Sequence, residues 1–241
     1  MTILDVRGIS RRFGGLQALS DVTFSVPKGQ IVGLIGPNGA GKTTFFSTLV
    51  GLIRPDSGSI QLDGTSVVGR KPHKVAALGM TKTFQNVALF AESSVLDNVL
   101  TAGLLRHDVE TARAQALICL DRVGLKTVAH KQAGNLSFPE RARVELARAL
   151  CTGPKVLLLD EVMAALNPVE MQEIMDLIRS LRDDGITLLV VEHHMRAIMT
   201  ICDRILVLNF GRLLADGTPQ QIANDPNVVE AYLGRSMEAH K

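Results

Sequence analysis

Gly36-Pro37-Asn38-Gly39-Ala40-Gly41-Lys42-Thr43-Thr44 fits the phosphate-loop pattern G-x-x-x-x-G-K-[ST] in full. The apolar run Ile31-Val32-Gly33-Leu34-Ile35 precedes it and Thr44-Phe45-Phe46-Ser47-Thr48-Leu49 follows it. The run predicts a buried strand and the following segment a helix, which is the context the pattern requires. Gly36, Gly39 and Gly41 let the backbone turn tightly, so that consecutive N–H groups of the loop, Asn38 and Ala40 included, point inward at a polyphosphate. The helix that begins near Thr44 adds its positive N-terminal end. Lys42 supplies a mobile point charge for the outer phosphates, and the Thr43 hydroxyl is suited to ligate Mg2+.

The rest of the composition bounds what such a loop can belong to. The chain has 241 residues, 46% of them apolar and 21% charged, the values of an ordinary folded chain with a sizeable core. A net charge of +2 is too small to make nucleic acid or an anionic membrane the main partner. Arg11-Arg12 and Arg70-Lys71 read as short solvated basic pairs. Cys119, Cys151 and Cys202 are odd in number and widely spaced, without metal-ligand or disulfide patterning, as expected in a reducing cytosol. No signal peptide or membrane-spanning run is evident, so a soluble chain is expected, with any membrane role arising through a partner.

Along the chain, strands are expected at residues 3–7, 21–26, 31–35, 59–62 and 81–84, with a short helix at 72–78. Residues 55–58 read as a turn. From 94 to about 132 the apolar residues recur at helical spacing, first at Val95, Leu96, Val99 and Leu100, then at Ala116, Leu117, Leu120 and Val123. This block reads as a helical insertion into an α/β core. The α/β rhythm resumes with a helix at 138–150 behind Ser137 as N-cap, a buried strand at 156–160, and a helix at 168–181 opened by Pro168. A strand at 187–192, a helix at 195–201 and a hairpin of 204–209 with 212–215 follow, then a weakly helical tail over 219–233.

The second chemical signal is Asp160-Glu161 at the end of the apolar run Val156-Leu157-Leu158-Leu159. Carboxylates at the C-terminal ends of buried strands stand where open α/β sheets take ligands. Asp160 is placed to hold Mg2+, and Glu161, one residue on, to polarise an attacking water. A strand-end carboxylate that merely caps the next helix is the bland alternative, and the phosphate loop in the same chain argues against it.

With these residues in order the chain resembles the nucleotide-binding subunit of an ABC transporter, nearly end to end. The resemblance implies an α/β fold: a P-loop NTPase core with a mostly parallel sheet, an N-terminal antiparallel β-subdomain and an inserted α-helical subdomain. Residues 1–85 and 154–241 would form the catalytic core and about 86–153 the helical part. It implies ATP and Mg2+ as cofactors. Phe13 matches the aromatic that stacks on adenine, and Lys42, Thr43 and Thr44 the phosphate loop. Gln85 matches the glutamine facing Mg2+ and the membrane partner, Asp160 and Glu161 the metal-binding and catalytic acids, and His193 the switch histidine. Leu136-Ser137 opens the signature segment, with Ser137 reaching a partner's ATP, and Leu166-Asn167-Pro168 matches the loop that crosses to the partner subunit. The implied assembly is a homodimer or a heterodimer with a sister ATPase, docked on integral permease subunits at the cytoplasmic face of the cell membrane. A solute-binding protein would take part indirectly, and nucleic acid would not.

Finer likeness is to the larger of the two ATPases of branched-chain amino acid importers. Phe13-Gly14-Gly15-Leu16, Lys82-Thr83-Phe84-Gln85-Asn86-Val87 and Glu192-His193-His194-Met195 carry it, with the ending from Gly217-Thr218-Pro219 to Tyr232-Leu233-Gly234. Urea and amide importers share many of these features. Two departures bear on catalysis. The signature reads Leu136-Ser137-Phe138-Pro139-Glu140, with proline where the family has a glycine whose N–H meets the γ-phosphate, and glutamate where it has glutamine. In Glu161-Val162-Met163-Ala164-Ala165 the family's proline after the glutamate and glycine before the leucine are replaced. An ATP-binding regulatory subunit paired with an active sister is therefore one alternative. A non-transport ATPase of translation or DNA repair is another, opposed by the lack of tandem domains or a long coiled-coil insertion.

Overall fold

Twelve-residue strands β1 (Thr2–Phe13) and β2 (Leu16–Pro27) open the chain as an antiparallel hairpin. β3 (Ile31–Ile35), helix α1 (Lys42–Leu49), β4 (Ser57–Leu62), β5 (Thr65–Ser66), α2 (Pro72–Leu78) and β6 (Met80–Lys82) follow. Helices α3 (Val95–Gly103), α4 (Val109–Arg122) and α5 (Phe138–Cys151) come next, then β7 (Val156–Asp160), α6 (Pro168–Asp183), β8 (Thr187–Val191), α7 (Met195–Ile201), β9 (Arg204–Asn209), β10 (Arg212–Gly217) and α8 (Pro219–Ala223). The computed structural model describes residues 1–84, 88–164 and 166–231. Gln85, Ala165 and the ending Tyr232-Leu233-Gly234 fall outside them.

The strands form two sheets. One runs β2-β1-β4-β5, with every pairing antiparallel. The other runs β10-β9-β3-β8-β7-β6, parallel throughout except for the edge strand β10. Its three central strands are continuous apolar runs because both faces are covered. Alternate residues go opposite ways. Ile31, Leu157, Leu159, Leu188 and Val190 join the core under the helices. Val32, Leu34, Leu158, Leu189 and Val191 join the core shared with α1 and the antiparallel sheet, around Phe45 and Phe46.

Helices α3, α4 and α5 pack on one another through Val95, Val99, Ala112, Ala116, Leu120 and Val144, within the helix-side core. Ser94 and Asp108 cap α3 and α4 by accepting backbone N–H bonds three residues on. Exposed ion pairs Arg122–Asp184 and Arg143–Glu173 link this block to the end and start of α6, adding little stability at such exposure.

Several boundaries differ from the sequence reading. β1 and β2 run well past their expected ends because their outer halves are still laddered, with register shifts absorbing the irregular stretch around Gly8. Ser57 and Gly58 belong to β4 rather than to a turn, since Ser57 pairs with Ser10. β6 spans 80–82 instead of 81–84, ending where Thr83 turns its hydroxyl to Asp160. Arg11 is not a solvated charge: it pairs with Asp56 at 2.6 Å and lies over the Phe13 ring at 4.7 Å.

Candidate active site

The phosphate loop leaves the C-terminal end of β3 and enters α1. Glycine is required where the loop grazes other backbone. A Cβ on Gly36 would sit 2.1 Å from the Leu208 carbonyl oxygen, and one on Gly41, at φ 104°, 2.6 Å from that of Ala18. No side chain caps α1, whereas α5, α6 and α8 each begin with a full capping box. The first-turn N–H groups of α1 thus have no side-chain cap, and a phosphate is a natural acceptor for them. Lys42 is buried, and its ammonium donates to the carbonyls of Gly36 at 2.6 Å and Pro37 at 3.2 Å. Burial lowers its pKa, while Glu161 and Asp160 pull it back up.

A cleft of about 290 Å³ brings together Phe13, the loop from Asn38 to Thr44, Glu161 and His193. Phe13 is 43% exposed, with one ring face on the Arg11 guanidinium. A larger groove of about 620 Å³ opens beyond His193 between α6 and α7, against Met171, Met175 and Met195, but the phosphate loop is not part of it. The smaller cleft is the one lined by the phosphate loop.

Asp160 and Glu161 stand at the end of β7, beside the end of β8. Asp160 pairs with Val191 in the ladder, and Glu161 N donates to the Val191 carbonyl at 2.9 Å. Glu161 has φ 55°, a left-handed conformation uncommon for a residue with a Cβ, and it sits where the strand breaks into the loop toward Asn167. His193 Nε2 lies 2.8 Å from Glu161 Oε1. The carboxylate can only accept, so the imidazole N–H is the donor. Asn167 is committed to α6, accepting from Val169 and Glu170 N–H at 2.9 and 3.0 Å. Ser137 lies outside the cleft, as N-cap of α5.

Two residues of this region, Lys82 and Glu192, stand in stretches that carry the family likeness but have no role of their own in the sequence reading. Lys82 and Asp160 form an ion pair at 3.1 Å with both side chains buried, at 6% and 5% exposure. Glu192 is buried and accepts the Met163 N–H at 2.7 Å and that of His193, so it joins the loop after Glu161 to the loop of His193. Each lies beside a motif residue, but a charged residue next to a motif reads as surface until the fold buries it.

Among the described residues no three His, Cys, Asp or Glu side chains cluster as a metal site. Asp160 and the Thr43 hydroxyl offer hard oxygen donors only. That suits Mg2+, which takes one or two protein ligands and fills its octahedron with phosphate and water oxygens.

Burial pushes the Glu192 carboxyl up from 4.5 to about 7, with the nearby charges of Glu161 and Asp160 adding to the rise. The unfolded chain ionises this group more readily, so the folded state loses stability as pH rises from 4.5 through about 7. Glu192→Gln, whose amide oxygen still accepts the Met163 N–H, should raise unfolding free energy above pH 7 by up to about 3 kcal/mol and leave it unchanged below pH 4.5. Urea unfolding of both proteins at the two pH extremes measures this, and an equal difference at both would remove the charge as its cause.

Comparison with known proteins places this geometry in a family. Residues 19–164 match the family model of the ABC transporter ATP-binding domain, and residues 212–237 that of the branched-chain amino acid ATP-binding cassette transporter. The chain is 42% identical to the high-affinity branched-chain amino acid transport ATP-binding protein BraF of Pseudomonas aeruginosa, over 97% of this chain and 98% of that one. It is 34% identical to the lipopolysaccharide export system ATP-binding protein LptB of Haemophilus influenzae, over 99% and 100%. A solved ATP-binding cassette of an ABC transporter in its ADP conformation superposes with a TM-score of 0.88 at 29% identity, covering 97% of this chain and 99% of that one. The chain is therefore an ATPase and belongs to the ATP-binding cassette family of ABC transporters.

Proposed function

We propose that this ATPase powers a membrane importer for branched-chain or other hydrophobic amino acids. The observation that carries the reading is the match of residues 212–237 to the branched-chain amino acid cassette, a segment beyond the shared ATPase motifs. The chain acts as a peripheral subunit at the cytoplasmic face of the membrane; among the described residues no helix is long and apolar enough to cross one. Two subunits, identical or sisters, enclose two ATP molecules, each site joining one chain's phosphate loop to the other's signature. Closure moves permease subunits docked near Gln85 and the helical block, residues 86–153. Reconstitution with the permease and a solute-binding protein tests the substrate: leucine, isoleucine or valine should stimulate ATP turnover, and stimulation by urea or an amide instead would replace the amino acid reading.

In the chemical step Lys42 and the N–H groups of the loop hold the outer phosphates, and Phe13 offers its free ring face to the base. Thr43, Asp160 and Gln85 would hold Mg2+, which would supply charge neutralisation to the phosphates. Glu161 orients the attacking water and draws its proton. His193, hydrogen-bonded to Glu161, fixes that carboxylate's direction. The rate gain comes from positioning and charge stabilisation.

The regulatory alternative has one geometric support. Pro139 has no N–H to offer a phosphate. Glu140 also occupies the signature serine: its Oε2 accepts Ser137 N–H at 2.7 Å and Ser137 Oγ–H at 2.8 Å. These two bonds hold the Glu140 carboxyl below its ordinary pKa, so it stays anionic where a partner's γ-phosphate would approach. The site completed by this signature is expected to be slow, and a heterodimer would run asymmetrically.

Three outcomes are expected. Lys42→Ala should weaken nucleotide binding by about a hundredfold or more by calorimetry, and unchanged affinity would remove the loop assignment. Glu161→Gln should bind Mg-ATP normally yet turn it over about 10²–10⁴ times more slowly; near-normal turnover would exclude Glu161 as the water-activating group. Pro139→Gly with Glu140→Gln should speed steady-state turnover of the assembled complex about tenfold to a hundredfold, the worth of one charge-assisted N–H bond, with ATP affinity of the single subunit unchanged. A double variant no faster than wild type would mean that this signature is already competent.

A further inference from the structure

We propose that Lys82 is the resident counter-cation of Asp160: it holds that carboxylate in place while no metal is present, and thereby sets how tightly the site takes Mg2+. This rests on the reading of Asp160 as the metal-binding acid.

The argument starts from burial. Asp160 is 4% exposed at the end of a strand whose other residues are all apolar. An ionised carboxylate so placed needs a partner charge or hydrogen-bond donors. Lys82 Nζ supplies the charge, 3.1 Å from Oδ2. Lys82 is itself only 8% exposed, so it is not a surface lysine resting on an acid by chance. Parallel pairing sets its place: Lys82 lies level with Leu158 in β7, two residues before Asp160. The next residue adds a second tie, Asp160 N donating to Thr83 Oγ1 at 3.0 Å, and Thr83 N donates to the Leu158 carbonyl at 2.9 Å. The lysine also lies 5.0 Å from the centre of the Phe84 ring. Asp160 is thus held from one side by two consecutive residues, Lys82 and Thr83, and Phe84 lies against the lysine.

The second lysine of the site does not do this work. Lys42 Nζ is occupied by the Gly36 and Pro37 carbonyls and reaches Asp160 only through its field. A divalent ion arriving at Asp160 must therefore share the carboxylate with Lys82, whose like charge opposes it. Lys82 is a positioning residue in this scheme: it acts on the metal through Asp160 and touches no reacting atom.

The test is equilibrium binding of fluorescent mant-ATP to the full-length protein at graded free Mg2+, with thermal unfolding in EDTA and in Mg2+ plus ATP. In Lys82→Met the half-saturating Mg2+ should fall about tenfold, as the cation that competes with the metal for the Asp160 carboxylate is removed. Affinity for mant-ATP in EDTA should fall, and the melting temperature should drop in EDTA yet recover with Mg2+ and ATP. Lys82→Arg should keep the wild-type values. An ion pair that only braced the fold would lower the melting temperature equally in both conditions and leave the Mg2+ dependence alone, which would overturn the proposal. Should Lys82→Met not fold, Asp160→Asn with Lys82→Met leaves no buried charge unpaired. Compared with Asp160→Asn alone, it should show no further change in Mg2+ dependence, and a further change would equally overturn the role. Wild-type affinity independent of Mg2+ would defeat the metal reading and this role with it; Mg2+-dependent wild type with an unmoved Lys82→Met would defeat the Lys82 role alone.

Discussion

The parallel sheet is covered on both faces, and the chemistry follows from that constraint. With alternate residues of β3, β7 and β8 sent into two separate cores, these strands have no polar face. Polar groups can serve the sheet only where the strands end. β3 ends in a loop of backbone donors, β7 in Asp160 and Glu161, and β8 in Glu192 and His193. The ladder pairing of Asp160 with Val191 sets the last two ends level, which is why Glu161 and His193 can meet at 2.8 Å although they are far apart in sequence. Shifting β8 by one residue would separate them and turn its apolar residues to the wrong cores.

Much of this was legible in the sequence because it was local. The phosphate loop, the strand before it, α2, β7, α7 and Ser137 as N-cap are each specified by neighbouring residues, and they lie where the spacing placed them. The long hairpin was not legible at its outer half. Residues 8–13 open on a glycine and carry the polar run Ser10-Arg11-Arg12, and they stay in strand because β2 and β4 pair with them across register shifts. Arg11 looked like one of a solvated pair for the same reason: Asp56, which accepts its charge, is distant in sequence.

The candidate site divides in the same way. Motif residues carry their identity in a pattern of neighbours. Lys82 and Glu192 do not, because their partners are Asp160 on another strand and the Met163 N–H in another loop. Both act on a motif residue from behind. The signature falls between these cases. Its proline could be read from the sequence as a lost donor, but that Glu140 folds back onto Ser137 depends on the capping geometry of α5, in which serine and glutamate satisfy each other's backbone. What stabilises that helix start is the same contact that keeps a negative charge on the serine.

The balance of charge at the strand ends ties these observations together. Three carboxyls, Asp160, Glu161 and Glu192, crowd the ends of two adjacent strands. Three ionised groups in so dry a place would repel one another strongly. Each meets the difficulty differently. Asp160 has a buried lysine, Glu161 has the N–H of a half-exposed histidine, and Glu192, among the described residues, has only backbone N–H groups. The one without a cation is the one whose pKa rises to about 7, and burial is the main cause. Its carboxyl is the one that burial moves toward the neutral form near neutral pH. Asp160 and Glu161 thus each meet a side-chain donor, and Glu192, held by the backbone N–H groups of both loops, keeps those loops together.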